Sequence, residues 1–322
     1  LAAGYMVATG LSRSASPRTT PRGVRSTGLY SPFGATAAVA RARGLDRGKI
    51  ASALALTTVF AGGTTQAWLD GSDEWQLHPA HAAESGLRAC ELAARGVRGG
   101  AHALDGKAGF FSALLGEPVS FAAIEADFEP SAALEESVIK RYPVSGICQS
   151  VVLASERAAG RIADPAAISA ILVEMNGFEI TYPGTLNRGP DFRAFGDRLM
   201  SAAFCAAAVL ARRGLVFDDF HGAADPLRDR LVAVTNVRKD DALDLLSSRV
   251  TVRLANGDEI VEHVRNSREE VRIDWETVTP WGMSLFAEAG KDGEAYEATA
   301  AAVRDLAAAA RADFRLFATP VG

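Results

Sequence analysis

Cysteine and lysine are scarce in this chain, and their placement excludes several kinds of protein. The three cysteines, Cys90, Cys148 and Cys205, are scattered and odd in number. No two of them have the close spacing of a zinc site or an iron–sulfur motif, and they give no disulfide framework. Reduced thiols in a cytoplasmic protein are the expectation. The formal net charge is −5 at pH 7 and no basic stripe stands out, so nucleic acid is not an expected partner. No uncharged, glycine-free apolar run reaches the roughly 18 residues of a membrane span, so no membrane association is expected. The opening L-A-A-G-Y-M-V-A-T-G-L precedes Arg13, Arg18 and Arg22, the reverse of the charge order in a signal peptide. A helix that starts at residue 1 with neither a cap nor a methionine reads as part of a longer chain. Loss of helices from a bundle exposes apolar faces, so poor solubility is expected of these 322 residues alone.

The chain has the composition of a globular protein, 48% hydrophobic and 23% charged, and is long enough for two domains. Residues 1–11 suit a helix, and the Ser-, Pro- and Arg-rich stretch Ser12–Arg25 reads as loop. Helices are predicted over Phe33–Arg43, stopped by Gly44, over Lys49–Phe60, capped by Asp46, and over Ala80–Arg95. A loop-rich connection follows from Pro118 to Ile139. The character then changes. Ser150–Arg161 is helical, Ala167–Asn176 has strand length and β-branched residues, and Phe195–Arg213 reads as one long helix. A short helix is expected at Pro226–Val234, and Arg249–Leu254 and Glu259–Val264 flank an Ala-Asn-Gly-Asp hairpin turn. From Trp275 the pattern is helical again, with Val303, Leu306 and Ala310 on one face. The expected architecture is mainly α with an inserted α+β domain: a helical domain from 1–138 and 266–322, and an α+β domain from 139–265.

Several residues carry candidate chemistry. His78, before Pro79 at a helix start, sits near a positive dipole end that favours its neutral form. That suits a general base, although a capping or core histidine fits the same position. His81 reads as structural. Lys140 and Arg141, in a proline-containing turn, suit clamping a carboxylate, against the alternative of a solvated face. Gln149 can hydrogen-bond a substrate oxygen but cannot do acid–base work. Phe217-Asp218-Asp219-Phe220-His221 reads as an acidic helix start with a surface histidine.

The run R-G-V-R-S-T-G-L-Y-S-P-F-G-A from Arg22, the W-Q-L-H-P-A-H segment from Trp75 and K-R-Y-P-V-S-G-I-C-Q from Lys140 together resemble the MmgE/PrpD family. The resemblance runs over nearly all of the chain. The family includes 2-methylcitrate dehydratase, cis-aconitate decarboxylase and iminodisuccinate epimerase. It implies an enzyme that takes a proton next to a carboxylate of a small di- or tricarboxylic acid, with no metal or organic cofactor, commonly as a homodimer. Lyase chemistry is the first expectation. Isomerase or epimerase chemistry and a non-catalytic carboxylate-binding role are the alternatives.

By this resemblance Lys140 and His78 are the catalytic candidates, and Arg25, Thr27, Trp75, Arg141 and Gln149 are the substrate-binding ones. The resemblance also marks departures. Arg25 stands at the family's catalytic histidine position, and arginine binds carboxylates but is no base at neutral pH. Trp75 replaces a lysine, which suits a smaller or less charged acid with an apolar or planar part. Gln149 and Ile147 stand where histidines often follow the lysine turn. Phe204 lacks the hydroxyl of a tyrosine implicated in proton transfer. Thr27, Gly28, Ser31 and Gly34 suit the family's small-residue loop, whose N–H groups can meet an anion.

Overall fold

A computed structural model describes residues 1–119, 122, 125, 128, 137–189, 192–221, 224–271 and 273–305. Its first part is helical: α1 (Ala2–Thr19), α2 (Ser26–Ala42), α3 (Arg47–Thr57), α4 (Ala67–Asp70), α5 (Leu77–Ala94) and α6 (Phe110–Leu115). The central helix is α2, which packs against α1, α3 and α5. Leu11, Ala15, Leu29, Tyr30, Phe33 and Phe111 form one core cluster, and Ala40, Ala53, Cys90 and Ala93 another. The crossing of α2 and α5 is close because Gly86 has no side chain. A Cβ there would lie 2.6 Å from the backbone of Ala35. Asp46 caps α3 as expected, its Oδ1 accepting from Lys49 N at 2.9 Å.

Two expectations for this part are corrected. Ser12–Arg25 is not loop: α1 continues to Thr19, followed by a 3₁₀ turn over Thr20–Arg22. Leu11, Ala15 and Thr19 recur every four residues and are buried, and this helical stripe outweighs the loop-like composition. Pro17 removes one N–H donor from the helix, which continues for only two residues beyond it. Likewise Thr27, Gly28, Ser31 and Gly34 lie within α2 and not in a loop, because α2 begins at Ser26.

The second part holds α7 (Gln149–Ala159), β1 (Ile168–Met175), α8 (Gly177–Ile180), α9 (Phe195–Met200), α10 (Ala202–Arg212), α11 (Pro226–Ala233), β2 (Thr235–Lys239), β3 (Ser248–Leu254) and β4 (Glu259–Val264). After these come α12 (Ser267–Glu270), α13 (Trp275–Glu288) and α14 (Gly293–Arg304). The sheet order is β2-β1-β3-β4, with β1 parallel to β2 and the other pairs antiparallel. Val173 lies opposite Val237 on one side and Val250 on the other. The helix α7 packs against β3 and β4, and α10 against α7 and β2. Valines and isoleucines of the sheet form one core with Val151, Val152, Phe204 and Leu210, and Trp68 of α4 joins it. The protein is therefore mainly α with an α+β part, as the sequence pattern predicts.

Phe195–Arg213 is not a single helix. Ser201 is extended (φ −74°, ψ 116°), and its hydroxyl accepts from Phe204 N while donating to Asn187 O. It thereby ends α9 and caps α10. The β3–β4 hairpin forms as expected, with Gly257 at φ +94°. Leu306 and Ala310, expected on the last helix face, lie outside the described residues, as does most of the Pro118–Ile139 connection.

Candidate active site

The segment Gly23–Gly28 is zipped to residues Gly62–Thr65 by backbone hydrogen bonds. Val24 and Thr64 form a bridge, Arg25 N donates to Gly63 O at 3.1 Å, Thr65 N to Gly23 O at 2.9 Å, and Gly62 N to Gly28 O at 3.0 Å. This zipper fixes Arg25 as the residue preceding α2. Its side chain leaves the zipper over two indoles. The guanidinium carbon lies 4.7 Å from the Trp68 ring centroid and 5.7 Å from that of Trp75, and Nη1 donates to Trp75 O at 3.1 Å. Trp68 and Trp75 pack against each other at 4.8 Å, and Trp75 stacks on Phe195 at 6.1 Å. An arginine held this way is oriented before any ligand arrives.

Arg25 borders a cavity of about 570 Å³. Its wall comes from α1 (Ser12, Arg13, Ser16), the start of α2 (Ser26, Thr27), the two indoles, the Lys140–Ile147 turn, α8 with Tyr182, and the end of α9. Three cations, Arg13, Arg25 and Lys140, line it, and no described acidic residue does. Among the described residues Lys140 makes no ion pair, and the Arg25 guanidinium has only the Trp75 carbonyl as a hydrogen-bond partner. Lys140 keeps solvent exposure at the open cavity, but the protein around it pushes its pKa below the ordinary lysine value. Cys148 opposes that fall and the Arg25 charge adds to it. Burial raises the Tyr182 pKa, and the Arg25 charge opposes the rise. Thr27 sits in the first turn of α2, where helical N–H groups lack intrahelical partners.

Residues 1–122 match the family model of the MmgE/PrpD N-terminal domain. The match supports the resemblance to the MmgE/PrpD family over that part of the chain. No curated protein matches it.

Four of the seven residues singled out in the sequence, Arg25, Thr27, Trp75 and Lys140, line the one cavity. The other three do not. Both ends of the Gln149 amide are committed to the backbone: Oε1 accepts from Arg141 N and Tyr142 N, both at 3.1 Å, and Nε2 donates to Tyr142 O at 2.9 Å. Gln149 thus holds the turn that carries Lys140. Arg141 faces away, over Tyr142 and Trp281, 3.4 Å from a Glu156 carboxylate oxygen. His78 stands behind the zipper. A Cβ on Gly63, whose φ is +142°, would lie 2.8 Å from His78 Nε2, so the ring backs the residue that binds Arg25 N. Burial lowers the His78 pKa first and the Arg25 charge second, and its buried Nδ1 has no partner among the described residues.

Tyr182 is among the cavity residues that the sequence did not flag. It sits in the turn after α8, bonded from its N to Glu179 O, and no motif surrounds it. Phe204 packs against Phe192 and Phe220, away from the cavity. Asp218 and Asp219 open a 3₁₀ turn over Phe217–His221 and His221 is exposed, both as expected; Asp219 is buried and paired with Arg212 at 3.1 Å.

Proposed function

We propose that the cavity is the substrate site of an MmgE/PrpD-type lyase, a dehydratase or decarboxylase, that removes a proton next to a carboxylate. Arg25 and Lys140, two cations with no carboxylate partner among the described residues, at a cavity with no described acidic lining, carry this reading. Arg25 grips the carboxylate, assisted by the first turn of α2 at Thr27. Lys140, with its pKa lowered, is closer to the neutral form that takes a proton, and when charged it stabilises an enolate-like product. Tyr182 supplies a hydroxyl for the return or delivery of a proton. Gln149 and His78 act at one remove, holding Lys140 and Arg25 in place. Soluble di- and tricarboxylic acids are the substrate class, and the protein acts as a homodimer.

Epimerisation is the second reading. It is favoured by the presence of two proton-handling side chains, Lys140 and Tyr182, on one cavity, because inversion needs an acid and a base. Incubation with a panel of acids in D2O, followed by NMR, tests both. Exchange of the α-proton with loss of water or CO2 supports the lyase, and exchange with inversion supports the epimerase. Tyr182→Phe is expected to lower turnover about 10²-fold or more with little change in KM. An absence of exchange from folded protein with every acid would favour a binding protein without catalysis.

A further inference from the structure

We infer that the acid taken by this site carries an apolar arm of about the size of a phenyl ring. The inference rests on the carboxylate-site reading and narrows it. The cavity, at about 570 Å³, falls in the range of sites for drug-sized ligands and far exceeds the needs of a compact polar acid. Its cationic side is Arg25 and Lys140, close enough for their charges to interact. Arg13 and the hydroxyls of Ser12, Ser16 and Thr20 also line the cavity, and another part of the wall is apolar. Ile147, Leu199 and Met200 form one surface, because Ser145 N donates to Leu199 O at 3.1 Å and Cys148 Sγ lies 3.3 Å from Met200 O. Phe178 of α8, 42% exposed, extends that surface outward.

A ligand that fills such a space is charged at one end and apolar at the other. A further carboxylate turned toward Ile147, Leu199 and Met200 would lose its water without a donor in return. The indole of Trp75, packed against Trp68 and stacked on Phe195, adds to the apolar character. The sequence expectation of a less charged acid with an apolar or planar part is thereby given a position. Its expectation of a smaller acid is not supported by the volume.

Calorimetric titration of the chain with succinate, phenylsuccinate and citrate tests the inference. Covering a phenyl ring on this wall predicts binding of phenylsuccinate at least about tenfold tighter than succinate, and of citrate no tighter than succinate. Phe178→Ala at the rim and Ile147→Ala on the wall should each weaken phenylsuccinate severalfold and leave succinate unchanged. Equal affinity for succinate and phenylsuccinate, or citrate as the tightest ligand, overturns the inference and leaves the carboxylate site standing. Insensitivity of phenylsuccinate to both substitutions also overturns it, since the arm would then lie elsewhere. If none of the three acids binds to protein that melts cooperatively, the carboxylate-site reading itself falls.

Discussion

Glu179 offers a sharp test, because a carboxyl buried in α8 makes this protein less stable in alkali. The side chain is 3% exposed; Oε1 accepts from Leu246 N at 2.9 Å, and the buried Oε2 has no partner among the described residues. Burial pushes its pKa up to about 7, and the Leu246 bond opposes the rise. With an ordinary carboxyl pKa of about 4.3 in the unfolded chain, the folded form holds the proton more tightly. Below pH 4 both states are protonated and nothing is lost. As the pH rises through the window from about 4.3 to about 7 the unfolded state releases its proton first, and stability falls. Above pH 7 the loss is complete. Each unit is about 1.4 kcal/mol, so the ceiling is about 3–4 kcal/mol. Glu179→Gln keeps an acceptor for Leu246 N and has no charge to bury. Urea midpoints of variant and parent should nearly coincide at pH 4 and separate by pH 8, with the variant the more stable. Parallel pH profiles for the two proteins would show that Glu179 is ionised in the fold without penalty. Because the Glu179 carbonyl accepts from both Tyr182 N and Thr185 Oγ1, the same titration is expected to perturb the cavity wall at Tyr182.

Gln149→Ala removes the acceptor of Arg141 N and Tyr142 N and should cost about 2–4 kcal/mol of stability. Carboxylate affinity should fall with it, although Gln149 does not line the cavity. Calorimetry on the folded variant at low temperature separates the two effects, and unchanged affinity would refute a positioning role. Gly86→Ala sets two terms against each other. Alanine favours a helix by about 1 kcal/mol, but its Cβ would meet Ala35 at 2.6 Å. The neighbour there includes backbone with little freedom to retreat, so overpacking wins and a net loss of about 1–3 kcal/mol is expected in thermal or urea unfolding.

The helices and strands whose local signals agree with their packing were legible in the sequence. Asp46 marks the start of α3, and Asn256-Gly257 marks the β3–β4 turn. α1 was not, because serines and Pro17 suggest a loop until Leu11, Ala15 and Thr19 are seen to share a buried face. The break at Ser201 was hidden for a related reason: its hydroxyl bonds to Asn187 O, a partner in a loop that composition does not bring near. At the site, Arg25 and Lys140 stand in recognisable motifs and line the cavity. Gln149 stands in one too, but its amide turns inward to the backbone, and a motif does not tell which way a side chain points. Tyr182 has no motif at all. Its place depends on the turn after α8 meeting Arg25 of an element far along the chain.

The departures from the family pattern are linked physically. By the resemblance, a histidine is expected at position 25 and a lysine at position 75. Here position 25 holds the cation and position 75 an indole beneath it, with Trp75 O binding the guanidinium at 3.1 Å. The positive charge has changed place and has not been lost. A lysine at position 75 would repel Arg25 across this short distance, whereas an aromatic face attracts it. The exchange removes a base, since a guanidinium does not release a proton near neutral pH. Under the proposed function, proton transfer falls to the groups left on the cavity whose pKa values the fold perturbs, Lys140 downward by burial and Tyr182 upward by burial against the pull of Arg25. On that proposal, the substitution that offers a guanidinium to a carboxylate also sets which side chains are left to do the chemistry.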